Sequence, residues 1–219
     1  TRTSDKLTIE VTADTPDLRI SHIAYDRDHT SAEDMNTWFP LDQMRLFSLE
    51  GVIGTLPPRF HGLPTRRSQR TTLGQDCPDV LARLKEDGAD AAVIVPNCPV
   101  CHQTAGLTAS FLERNGLPTV IMGCARDIIE HVGVPRFLFS DFPLGNSAAK
   151  PRDLASRDLT LRGAFNLLQE ADAARTTVQS PLVWGKDEDW KSDYANIERL
   201  SEYEIRLRRR EFDAQKHLA

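Results

Sequence analysis

The sequence predicts an α/β fold: a mostly parallel sheet with crossover helices and a C-terminal helical arm. Three observations carry that expectation. Residues 91–95 (AAVIV) form a short unbroken apolar run, as a strand buried on both faces requires. Comparable runs recur at 119–122 and 136–140, and the intervals between the three hold helix-like segments. The tail, 197–216, is charged and places Glu202–Arg206 and Glu204–Arg208 at the i,i+4 spacing of an exposed helix.

Taken in order, 18–24 (LRISHIA) reads as a strand, 26–39 as polar and turn-rich, and 41–50 as a helix stopped by Gly51. The stretch 54–70 holds three prolines and two glycines and reads as a long loop. Residues 76–87 read as a helix, with Asp76 as cap, Pro78 in the first turn and Gly88 as stop. A loop at 96–101 leads to a helix over 103–115. Strand 119–122, helix 126–132 and strand 136–140 follow. The apolar face of Leu161, Ala164, Phe165 and Leu168 marks another helix. Residues 176–194 read as irregular. The expected organisation is a catalytic domain over 1–175 and an extension over 176–219 whose charged helix serves as an interface arm, so a homo- or hetero-oligomer is expected.

Composition removes several classes of function. Of 219 residues, 40% are hydrophobic and 27% charged, which excludes wholesale disorder. Lys plus Arg is 27 and Asp plus Glu is 32, a net charge of −5, so no nucleic-acid partner is expected. The basic run 206–210 reads as a solvated helical face or an interface. No apolar run approaches the ~18 residues of a membrane span, so no membrane association is expected. Four cysteines, Cys77, Cys98, Cys101 and Cys124, are too few for a disulfide scaffold and point to the reducing cytoplasm.

The sharpest local feature is Cys98-Pro99-Val100-Cys101-His102. It follows a predicted buried strand and precedes a predicted helix, where open parallel sheets gather ligands and chemistry. A thiol at a helix N-terminus feels the positive end of the dipole, which favours thiolate. A second thiol three residues on can trap a sulfur adduct as a disulfide. Cys98 is therefore the candidate nucleophile and Cys101 the resolving thiol. Rival readings are an inert buried pair, a haem-attachment sequence, a thioredoxin-type motif and structural zinc. Zinc needs four ligands, and Cys98, Cys101 and His102 supply at most three, so no metal is expected. Cys124 follows the next strand. If it opens onto the same edge, a two-thiol racemase or isomerase using Cys98 and Cys124 is an alternative. A non-catalytic redox or structural subunit is another.

Further candidates surround this segment. His102 is positioned to stabilise a thiolate or to donate a proton to a leaving nitrogen. His22, His61 (with Arg59), Arg126 and Asp141 are candidate substrate-binding residues, Arg126 through bidentate carboxylate contact. The substrate expected is a small molecule.

Residues 87–104 (DGADAAVIVPNCPVCHQT) resemble the core motif of the selenoprotein B family of amino-acid reductases. Other blocks agree in order: Ile20-Ser21-His22 with the segment from Asp26 to Pro40, GVIG at 51–54, Ala125-Arg126-Asp127, and DFPLG at 141–145 with Lys150-Pro151. The Pro-Val-Cys-His-Gln segment is most similar to the D-proline reductase branch; glycine, sarcosine and betaine reductase B components are the other branches. The resemblance implies reductive cleavage of a C–N bond of an amino-acid-like substrate by a chalcogen nucleophile, followed by disulfide formation and reduction by an external thiol or protein donor. The residue matching Cys98 is selenocysteine in the reductases proper, and this chain carries cysteine there. The resemblance further implies a pyruvoyl group on a partner subunit and no cofactor within this chain.

Overall fold

A computed structural model describes residues 7–10, 15–16, 18, 25–26, 28–30, 33–193 and 197–218. Strand β1 (Leu7–Glu10) pairs antiparallel with β2 (Arg59–Gly62), Leu7 opposite Gly62. Between them lies α1 (Leu41–Leu49). A helical stretch then runs from α2 (Gln69–Thr71) through one π-helical turn, Thr72–Asp76, into α3 (Cys77–Glu86). The main sheet is parallel and ordered β3-β4-β5-β6: β3 (Ala92–Ile94), β4 (Thr119–Gly123), β5 (Arg136–Phe139) and β6 (Thr176–Gln179). Its crossovers are α4 (Pro99–Arg114), α5 (Arg126–Val132) and α6 (Leu154–Glu170). Two C-terminal helices, α7 (Asp189–Asp193) and α8 (Glu202–Leu218), complete the chain. The α/β fold with a parallel sheet and a C-terminal helix is the one expected.

Strand β4 is buried along its whole length, which makes it the centre of the core. Alternate side chains face opposite layers, as strand geometry dictates. Val120 and Met122 pack with Leu138 against Leu161, Ala164 and Leu167 of α6 and Phe47 of α1. Ile121 and Phe137 face the other way, onto Ala105 and Ala109 of α4 and Ile129 of α5. Strand order advances in one direction while the helices change face. The β5–α6–β6 connection therefore has the opposite hand to the two before it, so the three do not all share the usual right-handed crossover.

Several elements differ from the sequence expectation. The long loop 54–70 contains β2, and 176–179, read as irregular, forms the edge strand β6. Helix α4 begins four residues early, at Pro99, which takes Cys101 out of the expected loop and puts both it and His102 in the first helical turn. Of the strand expected over 18–24, residues 19–24 lie outside the described residues. On α8, Glu202 pairs with Arg206 at 3.4 Å, whereas Arg208 reaches Asp28 and Glu204 accepts from Ser201. Among the described residues no helix is long and apolar enough to cross a membrane.

Candidate functional site

Parallel strands send their carboxyl ends to one edge. Here that edge collects the turn 95–98 after β3, the turn 123–125 after β4 and the segment 140–150 after β5. Ser140 N–H donates to the Gly123 carbonyl at 2.9 Å and Ser147 Oγ donates to the Pro96 carbonyl at 2.5 Å, so the third segment is tied to the other two.

Cys98 is the N-cap of α4. Its backbone is extended (φ −113°, ψ 165°), Pro99 occupies the first helical position, and Cys98 Sγ accepts from the Cys101 N–H at 3.1 Å. Serine and aspartate usually fill this role, and proline at N1 gives up no hydrogen bond. Cys98 and Cys101 are joined as a disulfide, with Cα atoms 4.9 Å apart. The two sulfurs stand in different surroundings. Cys98 is 1% exposed, while Cys101 is half-buried and has Thr65 Oγ1 3.6 Å from its sulfur. Thr65 is held in turn by the next residue: Arg66 Nε donates to both oxygens of the buried Asp76 carboxylate, at 3.1 Å each.

His102 is completely buried. Its Nδ1 donates to the Cys98 carbonyl at 2.8 Å, and its Nε2 accepts from the amides of Cys124 (3.0 Å) and Ala125 (3.2 Å). Those partners fix the neutral ring with the proton on Nδ1. Burial lowers its pKa to about 4, against the opposing pull of the Cys98 carbonyl and the Asp127 carboxylate. Gly123 makes room for the ring: a Cβ there would lie 2.9 Å from Nε2 and 3.2 Å from the Phe137 ring. His102 thus clasps the start of α4 to the turn after β4. Both ring nitrogens are engaged by backbone groups, the Cys98 carbonyl on one side and the Cys124 and Ala125 amides on the other.

Cys124 does open onto this edge. Its sulfur lies 3.7 Å from Ser147 Oγ, and burial pushes its pKa up to about 12. A thiol so hard to ionise is a poor base at neutral pH, which weighs against two-thiol racemisation.

Of the other expected site residues, Asp141 lies on this edge close enough to act on Cys124, while His61 stands away from it. His61 lies in β2 with Nε2 2.8 Å from Asp87 Oδ2, and Arg59 donates to Asp87 (Nε, 2.8 Å) and Glu86 (2.8 Å). The carboxylate these two residues meet is therefore that of Asp87, whose own pKa the Arg59 guanidinium lowers. Asp87 ends α3, which leads into the amino end of β3, away from Cys98. Arg126 is exposed and paired with Glu130 at 2.9 Å. Asp141 accepts from Lys191 Nζ at 2.6 Å. His22 lies outside the described residues. No group of three or more His, Cys, Asp or Glu placed to hold a metal occurs among the described residues.

Sequence reading missed four polar residues at this edge: Thr65, Asn97, Ser140 and Ser147. Among the described residues, nothing hydrogen-bonds to the buried Asn97 Oδ1 and Ser140 Oγ. Such atoms cost roughly 1–3 kcal/mol each where no partner reaches them, and Asn97 adjoins Cys98 in the chain. Adjacency was the one available signal, Asn97 next to Cys98 and the two serines flanking DFPLG.

Curated relatives share this layout of sequence. D-proline reductase subunit gamma of Acetoanaerobium sticklandii is 27% identical over 169 residues, 77% of this chain and 69% of its own length. Sarcosine reductase complex component B subunit beta of Peptoclostridium acidaminophilum is 29% identical over 170 residues, 71% of this chain and 37% of its own length. Glycine reductase complex component B subunit gamma of the same organism is 27% identical over 141 residues, covering 63% and 32%. The chain thus matches about a third of the length of these last two. No family profile matches it, and no solved structure does. Its curated homologues are therefore the D-proline reductase gamma subunit and the B components of glycine, sarcosine and betaine reductases, the selenoprotein B family that the cysteine segment resembles.

Proposed function

We propose that this chain is the thiol-bearing component of an amino-acid reductase, cleaving a C–N bond of a small amino-acid-like substrate. The observation that carries the reading is the Cys98–Cys101 pair at the carboxyl edge of the sheet, with Cys98 capping a 16-residue helix. In the reduced state, the Cys101 amide and the helix dipole favour the Cys98 thiolate. That thiolate attacks the carbon bearing nitrogen. A C–S bond forms, the C–N bond breaks, and nitrogen leaves as an amine after taking a proton. The Cys101 thiolate then attacks Cys98 Sγ. The S–S bond forms and the carbon departs with the C–S electron pair, taking a proton. Two electrons pass from the dithiol to the substrate. Substrate activation by a carbonyl, the pyruvoyl group that the resemblance implies, belongs to a partner subunit. Reductases of this kind act as multi-component complexes by the names of the relatives, and the same is proposed here.

The test uses the Cys101→Ser variant, which cannot resolve an adduct. The variant is assembled with its partner chains and incubated with D-proline, glycine, sarcosine or betaine. A substrate-derived mass increment on Cys98 is expected with one of them. Absence of any increment on Cys98 with all four, under conditions where the wild-type complex turns over, overturns the reading.

A further inference from the structure

We propose that the thiol which regenerates the site attacks Cys101 Sγ and expels Cys98, so that the two sulfurs serve two different partners. The inference rests on the reading above and adds which sulfur faces the electron donor. A thiolate approaching a disulfide must reach one sulfur and displace the other, and both access and leaving-group stability decide the choice.

Access differs sharply between the two. Cys98 is 1% exposed, whereas Cys101 is half-buried and bordered by Thr65. Leaving-group stability points the same way. Cys98 Sγ is the capping acceptor of α4 and already receives the Cys101 N–H at 3.1 Å. Negative charge that develops on Cys98 therefore meets an aligned amide and the positive end of a long helix. Cys101 Sγ sits within the first turn, and among the described residues its hydrogen-bonding neighbour is the Thr65 hydroxyl at 3.6 Å. Attack at Cys101 thus takes the open path and produces the better-stabilised thiolate.

The steps balance. A donor thiolate forms an S–S bond to Cys101 while the Cys98–Cys101 bond breaks and its electron pair goes to Cys98. A second donor thiol, on the same molecule or another, loses its proton and attacks the donor sulfur of this mixed disulfide. The donor leaves as a disulfide, and Cys101 departs as a thiolate and takes up a proton. The donor is oxidised by two electrons and the site returns to the dithiol. The substrate adduct forms on Cys98 and the donor adduct on Cys101.

The experiment uses the oxidised full chain with glutathione as the probe. Samples are quenched with acid within the first turnover, free thiols are blocked with a maleimide, and fragment-ion sequencing locates each group on the peptide carrying both cysteines. Glutathione on Cys101 with maleimide on Cys98, at least tenfold over the converse, is expected. Glutathione mainly on Cys98, or an even split, overturns the proposal. The readout needs no substrate. Loss of the Cys98 substrate adduct in the Cys101→Ser assay would instead overturn the reductase reading while leaving this result standing.

Discussion

Cys98→Ser is expected to lower turnover of the reduced complex roughly a thousandfold or more, as removal of a covalent nucleophile does. A serine hydroxyl is not ionised near neutral pH and forms no disulfide, so both halves of the proposed cycle stop. Serine is nevertheless a preferred N-cap, and its oxygen can take the Cys101 N–H that Cys98 Sγ takes now. The start of α4 should therefore survive, and thermal unfolding of the reduced proteins should be nearly unchanged. That separates lost chemistry from lost structure. Cys124→Ser is expected to leave steady-state turnover within a few-fold of wild type, because that thiol, 3.7 Å from the Ser147 hydroxyl, strongly resists ionisation. Full activity in Cys98→Ser, or its abolition in Cys124→Ser, would sink the assignment. The second outcome would restore the racemase alternative.

The largest expected stability effect lies one residue beyond the disulfide. His102→Ala should cost roughly 3–5 kcal/mol. It leaves a cavity under the turn after β4 and strips the part-buried Cys124 and Ala125 amides of their acceptor. The same ring makes stability depend on pH with a definite sign. Its pKa is lowered from 6.5 to about 4 in the folded chain. Between those values the unfolded chain binds the extra proton and the folded chain does not, so stability rises with pH. The contribution is fully present above about 6.5 and is lost as pH falls through 4, about 3 kcal/mol in all by linkage. His102→Gln removes the titrating group, so the difference in urea midpoint between variant and wild type should shrink as pH is lowered from 7 to 4.5. A pH-independent difference would show that the ring is not held neutral.

The central βαβαβ run was legible because buried parallel strands announce themselves as apolar runs and their helices are punctuated by proline and glycine. Strands β2 (RFHG) and β6 (TTVQ) lack any such run; pairing with a neighbouring strand makes them strands. The start of α4 was misplaced because cysteine is an uncommon cap, and only geometry reveals its sulfur in that role. The pairing of Cys98 with Cys101 was legible from their spacing and their place between a strand and a helix. The surroundings of His102 were not. Its neighbours in sequence suggest proton transfer, but the helix turns the ring inward, where backbone amides claim it. Thr65, Asn97, Ser140 and Ser147 are common loop residues without periodicity, and three separate turns must converge before they matter.

The π-helical turn at Thr72–Asp76 bears on all of this through helical phase. Each residue of an α-helix advances the side-chain direction by about 100°, and a π turn holds one residue more than its α counterpart, so it shifts the phase of whatever follows. Downstream, Cys77 reaches Thr108 on α4, while Val80 and Leu81 enter the core beside Leu112. At the turn itself, Asp76 takes both contacts from Arg66, the residue beside the Thr65 that borders Cys101. A helix of uniform pitch would offer a single phase for both tasks. The wider turn lets one continuous helix keep two: one for packing the core, and one for holding the chain that flanks the reactive sulfur.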